Sequence, residues 1–306
     1  MVIAYASMRT DIPAFYSQWL LNRIREGYLM VRSPYRKNLL YYLPFSPDNI
    51  DVLGFCTKNP APLLGKMDYL KGWNTLFHVT ITPYSSKYEE GIRNKRDIVE
   101  SFRNLSLRIG KERVVWRYDP VFLAPDVPLS FHKAAFSSLC SLLEGYTERV
   151  IFSFLDVYPF MAEKMASMEI RPPEKNEMAQ LASFFSQEGN RHGMTVSSCG
   201  EGDWLSAYGI DTSGCLTREI WNKAAGEELM FPKKEGKRKE CSCFLGFDIG
   251  GYGECPNACV YCYGGGDRRK SVHSPSSPLL FGWPGKDDEI KKVEDGSWKS
   301  KEGWLF

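Results

Sequence analysis

RVVWRYDPVFLAPDVPLSFHKAAFSSLCSLLEGYTERVIFSFLDVY, residues 113–158, places a helix-spaced segment between two runs of β-branched and aromatic residues. The runs RVVWRYD at 113–119 and RVIFSFLDVY at 149–158 read as buried strands. SFHKAAFSSLCSLLEGY at 130–146 carries apolar residues at three- and four-residue intervals and reads as the helix that joins them. A strand, a helix and a second strand in this order form one parallel crossover unit.

The same alternation extends in both directions. VIAYAS at 2–7, IDVLGFCT at 50–57, LFHVTIT at 76–82 and MTVSSC at 194–199 read as further strands. AFYSQWLLNRIREGY at 14–28, RDIVESFRNLSLRIG at 96–110 and NEMAQLASFFSQEG at 176–189 read as helices, with Asp11 and Pro13 as cap and first-turn proline of the first. Six strands in this pattern predict an α/β protein whose residues 1–225 form a complete or partial (β/α) TIM-like barrel, with a doubly wound sheet as the alternative. Polar residues cluster where strands end: Arg9 and Asp11, Lys58 and Asn59, Thr82 and Tyr84, Arg117 and Asp119, Asp156 and Tyr158, and Glu201. In a barrel all strand ends open on one face, so these groups converge although they lie far apart in the chain.

The 306 residues, 43% hydrophobic and 25% charged, describe a globular protein, and a net charge of +2 gives no field for nucleic acid or membrane. VIAYAS is too short for a signal-peptide core, and no apolar run approaches the roughly 18 residues of a spanning helix, so a cytoplasmic location is expected. Residues 226–266 form a cysteine-rich segment expected to pack on the barrel. Its KKEGKRK stretch at 233–239 reads as a solvated loop, GFDIGGYGE at 246–254 as the turn that delivers Cys255, and GGG at 264–266 as a flexible exit. Residues 267–306 read as a polar tail, loosely ordered or packed as irregular coil.

Nine cysteines in a reducing compartment call for an explanation other than disulfides. Cys56 and Cys140 lie in apolar stretches and read as small buried hydrophobes; the other seven lie between 199 and 262 and point to metal. CPNACVYC, with Cys255, Cys259 and Cys262 at C-x3-C-x2-C spacing, can give three thiolates to a [4Fe–4S] cluster and leave the fourth iron without a protein ligand from this motif. In radical S-adenosylmethionine enzymes that open iron chelates the nucleotide, and Tyr261 before the last cysteine matches a pattern common among them. Zinc, which prefers four ligands, fits three thiols less well. Cys199, Cys215, Cys241 and Cys243 make a candidate second site for another cluster or a zinc ion, or one of them closes the first cluster.

SMRTDIPAFYSQWLLNRIREGY at 7–28, TKNPAP at 57–62, RYDP at 117–120, SFLDVY at 153–158 and CSCFLGFDIGGYGECPNACVYCYG at 241–264 resemble the bacterial domain-of-unknown-function family 1848. The family is noted for a C-terminal cysteine group similar to the N-terminal one of radical S-adenosylmethionine proteins. The resemblance implies a cluster on Cys255, Cys259 and Cys262 held by a barrel-like scaffold that precedes it, the reverse of the usual order.

The leading functional expectation is a radical S-adenosylmethionine enzyme acting on a small-molecule or otherwise unknown substrate and served by an electron donor such as a flavodoxin or ferredoxin. S-adenosylmethionine is the expected cosubstrate, and Arg9, Asp11, Lys58, Asn59, Arg117, Asp119 and Asp156 are the candidate pocket residues. A non-catalytic iron–sulfur redox or binding module is one alternative. A zinc-dependent barrel enzyme, with acid and base from Asp119 and Asp156, is the other. There is no P-loop, HExxH or GxSxG, and the four histidines are dispersed; His78, inside a strand, reads as a satisfied core residue.

Overall fold

The computed structural model describes residues 2–92, 94–231, 240–252, 255–264 and 272–293. The strands are β1 Ile3–Ala6, β2 Tyr28–Arg32, β3 Leu39–Pro44, β4 Val52–Thr57, β5 Thr75–Thr80, β6 Val114–Val121, β7 Arg149–Phe154, β8 Thr195–Ser198, β9 Phe247–Asp248 and β10 Glu289–Lys292. The α-helices are α1 Ile12–Phe15, α2 Ser17–Glu26, α3 Ala61–Leu64, α4 Lys95–Ile109, α5 Leu129–Leu143, α6 Pro159–Ser167, α7 Lys175–Arg191 and α8 Arg218–Ala225.

Seven strands form one parallel sheet in the order β8-β7-β6-β5-β4-β1-β9. From β1 to β8 each crossover steps in the same direction. A doubly wound sheet would reverse direction at a switch point, so the order is that of a partial (β/α) barrel. One face carries the helices: Trp19 and Leu20 of α2, Phe102 and Leu105 of α4, Phe136 and Leu143 of α5, and Leu181 and Phe185 of α7 share a core with alternate residues of the strands. The continuous β-branched and aromatic strand sequences follow from this, because the other face is buried as well. There Ile3, Tyr5, Val52, Leu76, Val115 and Ile151 meet Trp221 and Ala224 of α8. Gly54 makes room for this plug, since a Cβ there would stand 2.4 Å from the Tyr5 ring and 3.0 Å from Trp221.

Of the complete or partial barrel expected, the structure is consistent with the partial form. The sheet is open between β8 and β9, because the outer edge of β8 is occupied by another segment: Asp211 N–H donates to Val196 O (2.9 Å) and Ser198 N–H to Asp211 O (3.0 Å). At the opposite edge the GFDIGG stretch, expected to be only a turn, supplies β9 alongside β1.

The chain from 272 to 293 is not loose coil. It adds β10 in parallel to β3, whose antiparallel partner is β2. Arg32 grips Asp288 with both guanidinium nitrogens (2.6 and 2.8 Å), and the buried Trp19 donates its indole N–H to Ser277 O (2.9 Å). The KKEGKRK stretch at 233–239, Gly265 and Gly266 of the glycine run, and residues 294–306 lie outside the described residues. No helix among the described residues is long and apolar enough to cross a membrane.

Candidate functional site

Chain just beyond β1 is fixed by β9. Ser7 Oγ donates to Asp248 Oδ1 (2.8 Å), Met8 N–H to Oδ2 (2.7 Å), and the buried Arg9 closes an ion pair with the same carboxylate (3.1 Å). Asp11 follows as the N-cap of α1, accepting from Ala14 N–H (3.1 Å). The same carboxylate accepts from Thr57 Oγ1 (2.6 Å), from Lys58 N–H (2.8 Å) and from Asn257 Nδ2 (2.8 Å). Burial pushes the Asp11 carboxyl up and these donors pull it back. One side chain thus ties the end of β1, the end of β4 and the C-x3-C-x2-C loop together.

The loop itself is wound by two short turns, Ala258 N–H to Cys255 O (3.3 Å) and Cys262 N–H to Cys259 O (3.2 Å), with Ala258 at φ 51°. It docks on residues 85–92, which follow β5: Gly91 N–H donates to Asn257 O (3.0 Å), Val260 N–H to Tyr88 O (3.0 Å), and Glu89 bridges Cys259 through the backbone. A Cβ on Gly91 would stand 2.4 Å from Pro256 O and 2.7 Å from Asn257 Cα, so only glycine allows this approach. Tyr263 Oη reaches back to Met8 O (3.0 Å). The cysteine loop therefore lies at the C-terminal ends of β1, β4 and β5.

Beneath Cys259 sits a buried ionic cluster. Glu89, fully shielded from solvent, accepts from Lys58 Nζ (2.8 Å) and Thr82 Oγ1 (2.5 Å), and also from Lys95 and the Tyr261 hydroxyl. Burial pushes the Glu89 carboxyl up, but Lys58 and then Lys95 overcome it and hold it at about 2. Burial likewise opposes the charge on Lys58, and Glu89 reverses the effect, leaving the ammonium more basic than usual.

Burial pushes the Cys255 and Cys259 thiols up to about 12. Against it, the Asp11 and Asn257 backbone N–H groups hydrogen-bond Cys255, and the Lys58 charge favours the thiolate of Cys259. Cys262 is an electrostatic neighbour of both. Three thiols on one tight loop, with two N–H donors at Cys255 and the Lys58 charge near Cys259, are a donor set of the kind an iron–sulfur cluster takes, whose thiolates sit on separate irons and are tuned by hydrogen bonds to sulfur. No three His, Cys, Asp or Glu side chains among the described residues are posed around one ion.

The family model for the domain of unknown function DUF1848 matches residues 3–264. The chain belongs to that family. No curated protein matches it. The EAL domain of Xanthomonas citri FimX, solved in complex with c-diGMP, is similar over 65% of this chain and 90% of its own, at 11% identity and a TM-score of 0.22. A superposition that loose carries no inference.

In this DUF1848 member the predicted pocket residues divide into two groups. Arg9 is consumed by Asp248, Asp11 by its four donors, and Lys58 by Glu89 and Tyr261 (3.0 Å). Asn59 accepts from Ala61 N–H (3.1 Å) at the start of α3. These four build the rim. Arg117, Asp119 and Asp156 form the second group: Arg117 Nη2 meets Asp119 Oδ2 at 2.5 Å, Asp119 also accepts from Ser153, and Asp156 is exposed. Glu201 joins them, accepting from Phe154 N–H (2.8 Å); burial first, then Asp156 and Asp119, push its carboxyl up to about 7.

Sequence reading missed Glu89 and Asp248, which carry no periodicity signal, and left Glu201 out of the pocket although its strand-end position was the available clue. His78 is not fully satisfied: Nδ1 meets Tyr5 Oη at 2.9 Å, but the buried Nε2 has no hydrogen-bond partner. The four remaining thiols of the cysteine-rich region are brought together, Cys199 and Cys215 at 3.4 Å and Cys215 and Cys243 at 3.3 Å between sulfurs, with Cys241 in hydrogen-bonding reach of Cys243.

Proposed function

We propose that this chain is an iron–sulfur enzyme of the radical S-adenosylmethionine type, built on a partial (β/α) TIM-like barrel and acting on a small molecule. The observation that carries the reading is the docking of the C-x3-C-x2-C loop at the C-terminal strand ends, held by Asp11 through Asn257 and by Gly91. Cys255, Cys259 and Cys262 would hold a [4Fe–4S] cluster. Bound there, such a cluster supplies an electron for cleavage of the S-adenosylmethionine sulfonium.

The chain's own residues do the rest. The Lys58–Glu89–Tyr261 assembly fixes the floor under Cys259 and excludes water from it. Arg117 and Asp119 offer a paired cation and carboxylate to a polar substrate, while Glu201, close to neutrality in its titration, can hold or release a proton beside Asp156. The reading implies a cytoplasmic setting and a small redox protein as electron donor.

The test is anaerobic reconstitution with iron and sulfide, reduction, and addition of S-adenosylmethionine. 5′-Deoxyadenosine is expected from the wild-type chain and not from Cys255→Ala, Cys259→Ala or Cys262→Ala. Iron-replete protein that neither binds nor cleaves S-adenosylmethionine would overturn the enzyme reading in favour of a redox module.

A further inference from the structure

Four thiols outside the C-x3-C-x2-C loop come from three separate segments and meet at the seam of the open sheet. Cys199 directly follows β8, and its N–H is tied to Phe152 O (2.9 Å). Cys215 lies in the loop before α8. Cys241 and Cys243 lie in the chain that runs into β9. Contacts between the sulfurs of Cys199 and Cys215 (3.4 Å) and of Cys215 and Cys243 (3.3 Å) link the three segments, and Cys199, Cys215 and Cys241 all stand within hydrogen-bonding reach of Cys243.

The backbone is shaped to this cluster. Cys215 N–H points at Cys243 Sγ (3.2 Å), Phe244 N–H donates to Leu216 O (2.9 Å), and Ser242 Oγ donates to Ser213 O (2.5 Å). Gly214 has φ 111°, and a Cβ there would crowd Cys243 Sγ at 3.2 Å and Ser242 Oγ at 2.8 Å. Cys215 and Cys243 are buried, while Cys199 and Cys241 are half-buried, so the group lies at the edge of the core, where an ion can enter.

We infer that Cys199, Cys215, Cys241 and Cys243 bind a single tetrahedral ion of the zinc class, a closed structural site distinct from the C-x3-C-x2-C loop. Sulfur spacing selects the ligand. A cubane keeps its cysteine sulfurs on separate irons. One tetrahedral ion with metal–sulfur bonds of about 2.3 Å gathers four sulfurs at about 3.8 Å from one another. The four thiols are not posed around one ion as they stand: the contacts of 3.3 and 3.4 Å lie a few tenths of an ångström inside that spacing, and the side chains must separate by that much to open the cage. Arg117, an electrostatic neighbour of Cys199 and Cys215, faces the negative charge of a tetrathiolate. No strand hydrogen bonds join β8 to β9, and the ion would clasp that seam, fixing the chain that delivers β9.

The proposal does not depend on the radical reading, and its readout is zinc. Full-length chain purified anaerobically from zinc-supplemented medium is expected to carry about one zinc per chain. Cys215→Ser and Cys243→Ser should lose it, whereas a Cys255→Ser, Cys259→Ser, Cys262→Ser triple variant should keep it. Should the serine variants fail to fold, alkylation of the wild-type chain decides. Peptides containing Cys199 and Cys241 should resist iodoacetamide until a chelator is added. Equal labelling with and without chelator overturns the proposal, as does zinc that survives Cys243→Ser, or iron and sulfide that depend on these four residues.

Discussion

Replacing Lys58 by Met removes one cation from a carboxylate that has no access to water. Glu89 is 0% exposed, Lys58 12% and Lys95 30% at the side chain. Holding Glu89 at about 2 against its ordinary 4.5 corresponds to roughly 3 kcal/mol, at about 1.4 kcal/mol per tenfold change. Lys58 is the larger of the two attractions and Lys95 remains in the variant, so Lys58→Met should destabilise the metal-free chain by about 2–3 kcal/mol. That reaches from below the roughly 3–5 kcal/mol seen when one partner of a fully buried pair is deleted, as the partial exposure of Lys58 requires. Glu89→Gln should cost a similar amount by leaving the partly shielded Lys58 and Lys95 ammonium groups without their anion. The double variant should lose less than the sum, because neither charge is then stranded. Urea denaturation of all four proteins at pH 7 measures the cycle. A Lys58→Met chain within about 0.5 kcal/mol of wild type, or two losses that simply add, would refute the view that this pair holds the floor of the site.

Two more outcomes follow from the structure. Gly91→Ala drives a Cβ against the Pro256 and Asn257 backbone at 2.4 and 2.7 Å, an overpacking worth about 1–3 kcal/mol, and should lower iron per chain after matched reconstitution although no ligand is changed; iron content equal to wild type would show that this docking is dispensable. His78 and His132 are held neutral, lowered to about 3 and about 4 chiefly by burial, so the unfolded chain takes up protons that the folded chain refuses. Each histidine should remove about 2 kcal/mol of stability between pH 8 and 5, offset in part by Glu201, whose raised carboxyl takes up its proton in the folded chain first, so the comparison is between variants: His132→Gln should lose about 2 kcal/mol less than wild type over that range; the same pH dependence of urea midpoints in both would contradict it.

Much of the parallel sheet is legible in the sequence because its strands are buried on both faces and read as unbroken β-branched and aromatic runs, as in VVWRYDPV of β6. The same logic explains what is not legible. β10 is EIKK with every residue exposed, and nothing apolar marks it as a strand. The β2–β3 hairpin begins at Tyr28, which the helical spacing of 14–28 absorbs. Asp11, Lys58 and the cysteine loop could be placed at strand ends by position alone, yet their pairing could not, because Glu89 and Asp248 become visible only when residues 172 or 241 positions apart are seen to touch. The open seam was equally hidden, since it depends on which backbone reaches the edge of β8 first.

The lateness of the thiol loop in the chain sets an order of events during biosynthesis. β1, β4 and the loop after β5 leave the ribosome long before Cys255, and N-terminal units fold first. The Ser7–Asp248 contact, among the longest loop closures in the molecule, can form only after residue 248 has been made. The three thiols therefore emerge after the strand ends that receive them, so the loop meets a docking surface whose parts, β1, β4 and residues 85–92, were made before it.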